Sequence, residues 1–243
     1  MRAIIKKPNS FFQVENGVGI SASLVVVTNA TKMLGPAGGF KMAHPGRLFL
    51  VDPRAVTSQQ SSLCMLLNQE NRQYGEIAVK RWFYRDHKSK RQRMTQQDEL
   101  PKMIIEADCL YWASALLRLA FEYIDVVLAK RKEQGDPIML FITRQRFVAA
   151  ALAIPATTNA EAAVYLLEEV INKPFWKYIV NHQLEPVATF KSQRDRQIAL
   201  FLSFTQHVQY LQTSRIAFVS DYQGKHSIWP ISGFTCLRSV YCM

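Results

Sequence analysis

No apolar run in this chain is long enough to cross a membrane. The longest, Phe147 to Ala156, covers about half of the roughly 20 residues a spanning helix needs, and it contains Pro155. Met1 to Lys7 is basic, but no apolar segment follows it, so no secretory leader and no membrane partner are expected. Cysteine is scarce. Cys64, Cys109, Cys236 and Cys242 have no framework spacing, which argues against a disulfide-stapled secreted domain and for a reducing, cytoplasmic compartment. Acidic residues are also few, 19 against 30 Lys and Arg, and none of them falls in residues 225–243. The glycine pattern matches neither a Walker loop nor a dinucleotide-binding fingerprint.

At 243 residues and 49% hydrophobic composition, the chain can bury a sizeable core, as one large domain or as two lobes, and disorder is excluded. A net charge of +11 favours an anionic partner, be it nucleotide phosphates, nucleic acid, an acidic protein or a membrane surface, without choosing among them. Leu24 to Val27 and Leu48 to Asp52 read as strands. Between them, residues 34–41 place three glycines in five positions, which either present bare N–H groups to an anion or simply make a hairpin turn. Residues 53–73 read as a loop or a short helix. Ile77-Ala78-Val79-Lys80 reads as a strand ending on a lysine. Arg81 to Arg93 follows, with six basic residues against one acid. This stretch is either a nucleic-acid or phosphopeptide patch or a solvated loop between strand and helix.

From Asp98 to about Lys132 one long helix is expected, capped by Asp98 or Gln97, with Pro101 in its first turn. Its apolar stripe includes Leu110, Ala113, Leu117 and Phe121, a core face. Glu106 lies early in this helix, either at the surface or as the partner of Lys80, the arrangement by which a kinase holds its phosphate-binding lysine. Phe141 to Ala153 is ambiguous. Ala162 to Ile171 reads as a strand ending in Glu168 and Glu169. From Ile198 the apolar spacing is helical, with His207 and Tyr210 on one face. A polar turn at 212–215 follows, then a short buried strand, Ile216 to Val219, that runs out through Ser220-Asp221-Tyr222-Gln223-Gly224. An acid leaving a buried strand just before a glycine either holds a carboxylate over a ligand or makes an ordinary Asp turn.

Taken in order, these motifs resemble the catalytic domain of the alpha-type (atypical) protein kinases, the family of the myosin heavy chain kinases, elongation factor 2 kinase and the channel-linked kinases. The resemblance is closest to the alpha-kinase-like proteins of mushroom-forming fungi and spans about Gly35 to Gly224. It implies an α+β, two-lobed fold. Residues 1–20 form an N-terminal segment and 21–224 the kinase-like domain. The N-lobe runs to about 166, with an antiparallel sheet and the long helix, and the hinge covers about 166–173. A partial C-lobe follows, then a divergent tail at 225–243. It further implies that Gly35, Gly38, Gly39, Phe40 and Lys41 belong to the phosphate-facing loop, that Lys80 contacts ATP phosphates, and that Glu106 pairs with Lys80. The hinge pattern at 167–171 and 175–181 puts adenine on the backbone of Glu168 and Val170. Asp221 stands at the central catalytic acid, Gln223 at a magnesium ligand alongside it, and His207 at the first ligand of a structural zinc.

Beyond Gly224 the chain departs from the pattern. The second magnesium-binding acid is missing, and Cys236 and Cys242 are too widely spaced for the family's zinc cluster, with no associated histidine. The resemblance therefore implies a C-terminally truncated domain in which the zinc site is not assembled and the activity of the chain is weak or lost. The expected function is a protein serine/threonine kinase using ATP and Mg2+ on a protein substrate. The alternatives are a non-catalytic nucleotide-binding pseudokinase or scaffold and, last, a basic nucleic-acid-binding protein built on residues 81–93.

Overall fold

The computed structural model describes residues 2–4, 19–35, 40–52, 54, 61–67, 74–136, 144–157, 162–171, 176–180, 185–190, 192–224, 228–229 and 231–236. The chain divides into two compact units, residues 1–108 with 149–170 and residues 109–148 with 171–243. The second unit thus includes residues 109–133 of the long helix.

The first unit is built on antiparallel strands. These are β1 (Arg2–Ile4), β2 (Gly19–Val26), β3 (Lys41–Leu50), β4 (Tyr74–Arg85), β5 (Arg91–Arg93), β7 (Ala150–Ile154) and β8 (Tyr165–Glu169). Their order is β3-β2-β1-β7-β8-β4-β5, and β3 pairs with β4 as well, so six of the strands close into a ring. Side chains alternate in and out of that ring with period two. Ile20 and Ala22, Leu48 and Leu50, Ile77 and Val79, and Ala151 and Ala153 all point into one buried cluster. A short helix, α1 (Ser61–Leu66), adds Leu63 and Leu66 to the same cluster.

Two expectations for this unit are corrected. The strand bearing Lys80 does not stop there. β4 runs on to Arg85, because its end pairs with β5 through Phe83↔Arg93 and Arg85↔Arg91. The basic stretch is therefore a β-hairpin rather than a loop. Its turn is held by Asp86, which accepts from the backbone N–H groups of Lys88 and Lys90. Arg85 and Arg91 lie over the buried ring of Phe83, each at 5.5 Å.

The long helix, α2 (Gln96–Glu133), is continuous. Its cap is neither Asp98 nor Gln97 but Thr95. The Thr95 hydroxyl accepts from the Asp98 N–H at 3.2 Å and donates to the Asp98 carboxylate at 2.7 Å. The hydroxyl thus caps the helix and is itself fixed by the aspartate three residues on. Pro101 consequently falls at the sixth helical residue rather than in the first turn. The C-terminal end closes on Gly135 at φ 77°, with the Asp136 N–H reaching back to the Arg131 carbonyl.

The second unit holds the rest of α2, β6 (Arg146–Phe147), β9 (Trp176–Lys177), α3 (Gln193–Gln212), β10 (Ala217–Gly224), β11 (Ile228–Trp229) and β12 (Ile231–Cys236). The order β12-β10-β9 makes one small sheet, and β11 and β6 pair in parallel. α3 begins five residues before Ile198. Ser192 caps it, its hydroxyl accepting from the Asp195 N–H. Ile198, Phe201, Leu202, Thr205, Val208 and Gln209 form its buried face, with Phe201 5.9 Å from Phe121 of α2. The buried strand expected at 216–219 extends to Gly224, so Asp221 sits within β10 rather than beyond its end.

Candidate functional site

In the first unit Lys80 does have a carboxylate partner, but it is Glu168 and not Glu106. Lys80 Nζ lies 2.6 Å from Glu168 Oε2, and the Glu168 side chain is 3% exposed. The sheet register explains this. Lys80 stands opposite Leu166 and Ala78 opposite Glu168, so lysine and glutamate are diagonal neighbours on one face of the β4–β8 pair. Glu106 is taken by Lys41 instead, at 2.5 Å. Lys41 opposes Trp82, and Ala43 opposes Lys80, so Lys41 shares the face of Lys80. Phe40 stacks at a tilt on Trp82, 5.6 Å between centroids, and the Lys102 ammonium lies 5.2 Å from the same ring.

The register also bears on the expected adenine contact. Glu168 is paired on both edges, with Ala150 and with Ala78, so its backbone N–H and C=O belong to the sheet ladder. An adenine contact from the backbone of Glu168 is therefore corrected to a side-chain role in the lysine pair. Val170 lies past the last rung of the ladder and is partly exposed. Gly35 adopts φ 93°, the left-handed turn geometry that glycine accepts without strain. Gly38 and Gly39, the rest of the proposed phosphate loop, lie outside the described residues, as do Phe175 and Asn181 of the hinge pattern.

In the second unit, Asp221 is buried and adopts φ 59°, an uncommon conformation for any residue other than glycine. Lys177 Nζ lies 2.6 Å from its Oδ1. The strand is held on either side of Asp221, at Tyr222 and at Val219. The Tyr222 carbonyl accepts from the N–H groups of Tyr178 and Ile179, at 2.8 and 3.2 Å. The Tyr222 ring is buried and stacks on Phe147 at 5.9 Å. Burial pushes its hydroxyl up to about 12, with hydrogen bonds from Thr205 and Gln209 working the other way. Tyr178 is raised as well, first by burial and then by donating to Asp195 at 2.8 Å. Upstream, α3 grips β10 with two glutamines. Gln209 accepts from the Val219 N–H at 2.9 Å, and Gln206 donates to the Val219 carbonyl at 2.7 Å. These side chains stand where a neighbouring strand's backbone would be.

Gln223 lies two residues beyond Asp221, in β10 opposite Lys177. An aspartate and a glutamine amide are oxygen donors suited to a hard cation that keeps waters and phosphate oxygens in its shell. His207 is exposed on α3, and the side chains of Cys236 and Cys242 lie outside the described residues. Among the described residues no three of His, Cys, Asp and Glu are grouped to hold a metal.

Sequence reasoning missed one pair altogether. Glu99 is fully buried, with Oε1 accepting from Arg81 Nε at 2.7 Å and Oε2 from the Val164 N–H at 3.1 Å. In the sequence Glu99 reads only as an acid favourable to a helix N-terminus. The one available signal was Arg81 directly after Lys80 in an alternating strand.

No protein-family model matches the sequence, and no curated protein is similar to it in sequence. Solved structures are similar in fold. The alpha-kinase domain of myosin heavy chain kinase A in complex with AMPPCP superposes with a TM-score of 0.53 at 11% identity, covering 94% of this chain and 78% of that chain. An inactive form of the same kinase domain, in complex with ATP, gives 0.49 at 12% identity over 94% and 80%. The fold of this chain is α+β and alpha-kinase-like. No helix among its described residues is long and apolar enough to cross a membrane.

Proposed function

We propose that this protein binds ATP through the first unit and is a protein kinase of the alpha type, of the sort found in mushroom-forming fungi, that transfers the γ-phosphoryl group to a protein Ser or Thr. The observation that carries this reading is the Lys80–Glu168 pair, an ammonium fixed by a nearly buried carboxylate on an alpha-kinase-like sheet. Phosphoryl transfer relies on positioning and electrostatics, and a lysine held in one place supplies both for the phosphates. The myosin kinase domain that superposes at a TM-score of 0.53 is a complex with AMPPCP, which supports a nucleotide here. In this proposal Lys41 and the glycine-rich segment assist at the phosphates, and Val170 offers its backbone to the base. Magnesium, when bound, would neutralise phosphate charge, with Asp221 and Gln223 as its protein ligands. Asp221 orients the accepting hydroxyl, and Lys177 holds its carboxylate in place.

One observation favours the second reading, a nucleotide-binding pseudokinase. Residues 225–243 contain no Asp or Glu to join Asp221. The two readings separate in one set of measurements. Calorimetry with ATP and magnesium should show binding by the parent and a loss of at least about tenfold in Lys80→Ala, a change of about 1.4 kcal/mol. Absence of binding by folded parent protein would sink both readings. Incubation with radiolabelled ATP and a generic basic protein then decides between them. Label transferred by the parent and abolished in Asp221→Asn, with binding retained, marks a kinase. Binding without transfer marks the pseudokinase. The nucleic-acid reading has the least support, since Arg85 and Arg91 are already engaged with Phe83 and Arg93 donates to the Ala162 carbonyl.

A further inference from the structure

We infer that the buried Arg81–Glu99 pair is a positioning device for Lys80 and Glu168, an inference that rests on the phosphate-binding role proposed for Lys80. The Glu99 carboxylate uses both oxygens, one on Arg81 and one on the Val164 N–H. Arg81 directly follows Lys80 in β4. Val164 directly precedes β8, which carries Glu168. One buried carboxylate thus holds the two strands whose neighbouring residues make the Lys80–Glu168 pair, at the places where those strands meet the start of α2. The Arg81 guanidinium also lies 5.9 Å from the ring of Tyr165, the first residue of β8. Seven residues along the same helix, two turns on, Glu106 engages Lys41. The first turns of α2 therefore set both lysines of the sheet face.

Stability alone is a poor reason for this arrangement. Desolvating an ion pair offsets most of its attraction, and apolar residues of similar volume commonly serve as well or better. Among the described residues the buried Arg81 Nη2 has no hydrogen-bond partner, so the pair carries an unmet donor besides. What the pair supplies that apolar side chains cannot is direction, since the two bonds fix the angle at which α2 meets β4 and β8. Glu99 and Arg81 touch no proposed ligand and act only through Lys80 and Glu168.

The test is the double variant Arg81→Met/Glu99→Leu, which removes both charges together and keeps the site filled. It is expected to melt with the parent, to bind ATP and magnesium about tenfold more weakly, and to show faster amide exchange at residues 77–82 and 164–168 but not in β2 or β3. In a Lys80→Ala background the same double substitution should change nucleotide affinity no further, because its effect passes through Lys80. Additive losses in that cycle, or a folded double variant with parental exchange and affinity, would overturn the inference. Should the double variant fail to fold, Glu99→Gln replaces it. Local loosening at the same two segments supports positioning, and loosening spread evenly over the first unit overturns it. If the parent itself binds no nucleotide, the reading of Lys80 fails. The exchange measurement still decides the matter, with parental exchange in the variant counting against a positioning role.

Discussion

Two residues next to each other in β10 place different demands on their surroundings. The Asp221 backbone sits in the left-handed region, a strain of about 1–3 kcal/mol that aspartate bears better than most residues. Tyr222 must stay neutral, buried against Phe147 with its hydroxyl pushed up to about 12. That second demand has a consequence for stability in alkali. An unfolded tyrosine loses its proton near pH 10. In the folded protein Tyr222 keeps its proton until about pH 12. The stability it contributes is complete below the unfolded value and is lost as pH rises through the folded one, at about 1.4 kcal/mol per pH unit for this one group. Urea denaturation across the alkaline range should show the parent weakening with that extra slope and Tyr222→Phe without it. Parallel curves for the two proteins would mean that Tyr222 titrates normally.

Lys80 and Asp221 stand out in the sequence because each sits in a short pattern at a fixed distance from others. Their partners do not. The choice of Glu168 over Glu106 follows from the β4–β8 register, which places Glu168 diagonal to Lys80, and no local pattern around either residue encodes that register. Glu99 was hidden for a different reason, since a carboxylate in a helix's first turn is ordinary at the surface and gives no sign that Arg81 and Val164 will enclose it.

At the scale of the element, α2 and α3 were visible from their spacing, but their starts were displaced by capping. In both helices the cap is a hydroxyl three residues before an aspartate, Thr95 with Asp98 and Ser192 with Asp195. The rule that pairs such caps with Glu or Gln would pass over both. The strands were harder to delimit, since β4 and β10 each run past the residue that carries their chemistry. Beyond Lys80 come basic and aromatic residues with no clean alternation, which resemble a solvated loop in composition and become a strand through pairing with β5. The cap of α2 has a consequence that the helix alone predicts. Thr95→Ala removes the acceptor for the Asp98 N–H and the donor to its carboxylate, and should lower stability by about 1 kcal/mol, read as a lower urea midpoint with an unchanged slope. Thr95→Ser should restore most of it. Equal losses in both variants would assign the effect to the threonine methyl rather than to the cap.

At the scale of the whole molecule, the feature that sequence reading did not reach is the closure of the first unit's sheet. An antiparallel, curved sheet was expected, and the alternation of Leu48 with Leu50 and Ile77 with Val79 is consistent with it. Closure depends on β3 pairing with β2 on one edge and β4 on the other, while β1 links β2 to β7, a pairing between residues 2–4 and residues 152–154. Partners that far apart in the chain leave no local trace. The β3–β4 seam nevertheless has a requirement that a substitution can test. Gly46 and Gly75 both lie on it, opposite Ile77 and Leu48. A Cβ on Gly46 would stand 2.4 Å from the Val79 Cγ2 methyl, and one on Gly75 would stand 1.8 Å from the Leu66 carbonyl oxygen of α1. Val79 belongs to the central cluster and is packed against its neighbours, but it is a side chain, whereas the Leu66 carbonyl can move only with the backbone of α1. Gly75→Ala should therefore destabilise more than Gly46→Ala, by about 1–3 kcal/mol or more, with the loss appearing in thermal melts of the full chain. Because α1 delivers Leu63 and Leu66 to the buried cluster, the Gly75 variant should also expose apolar surface and bind a hydrophobic dye before the main unfolding transition. If Gly46→Ala proves the worse of the two, the seam tolerates displacement of α1 better than a strained Val79. Closure of the sheet would then depend on packing inside the ring rather than on the helix seated against it.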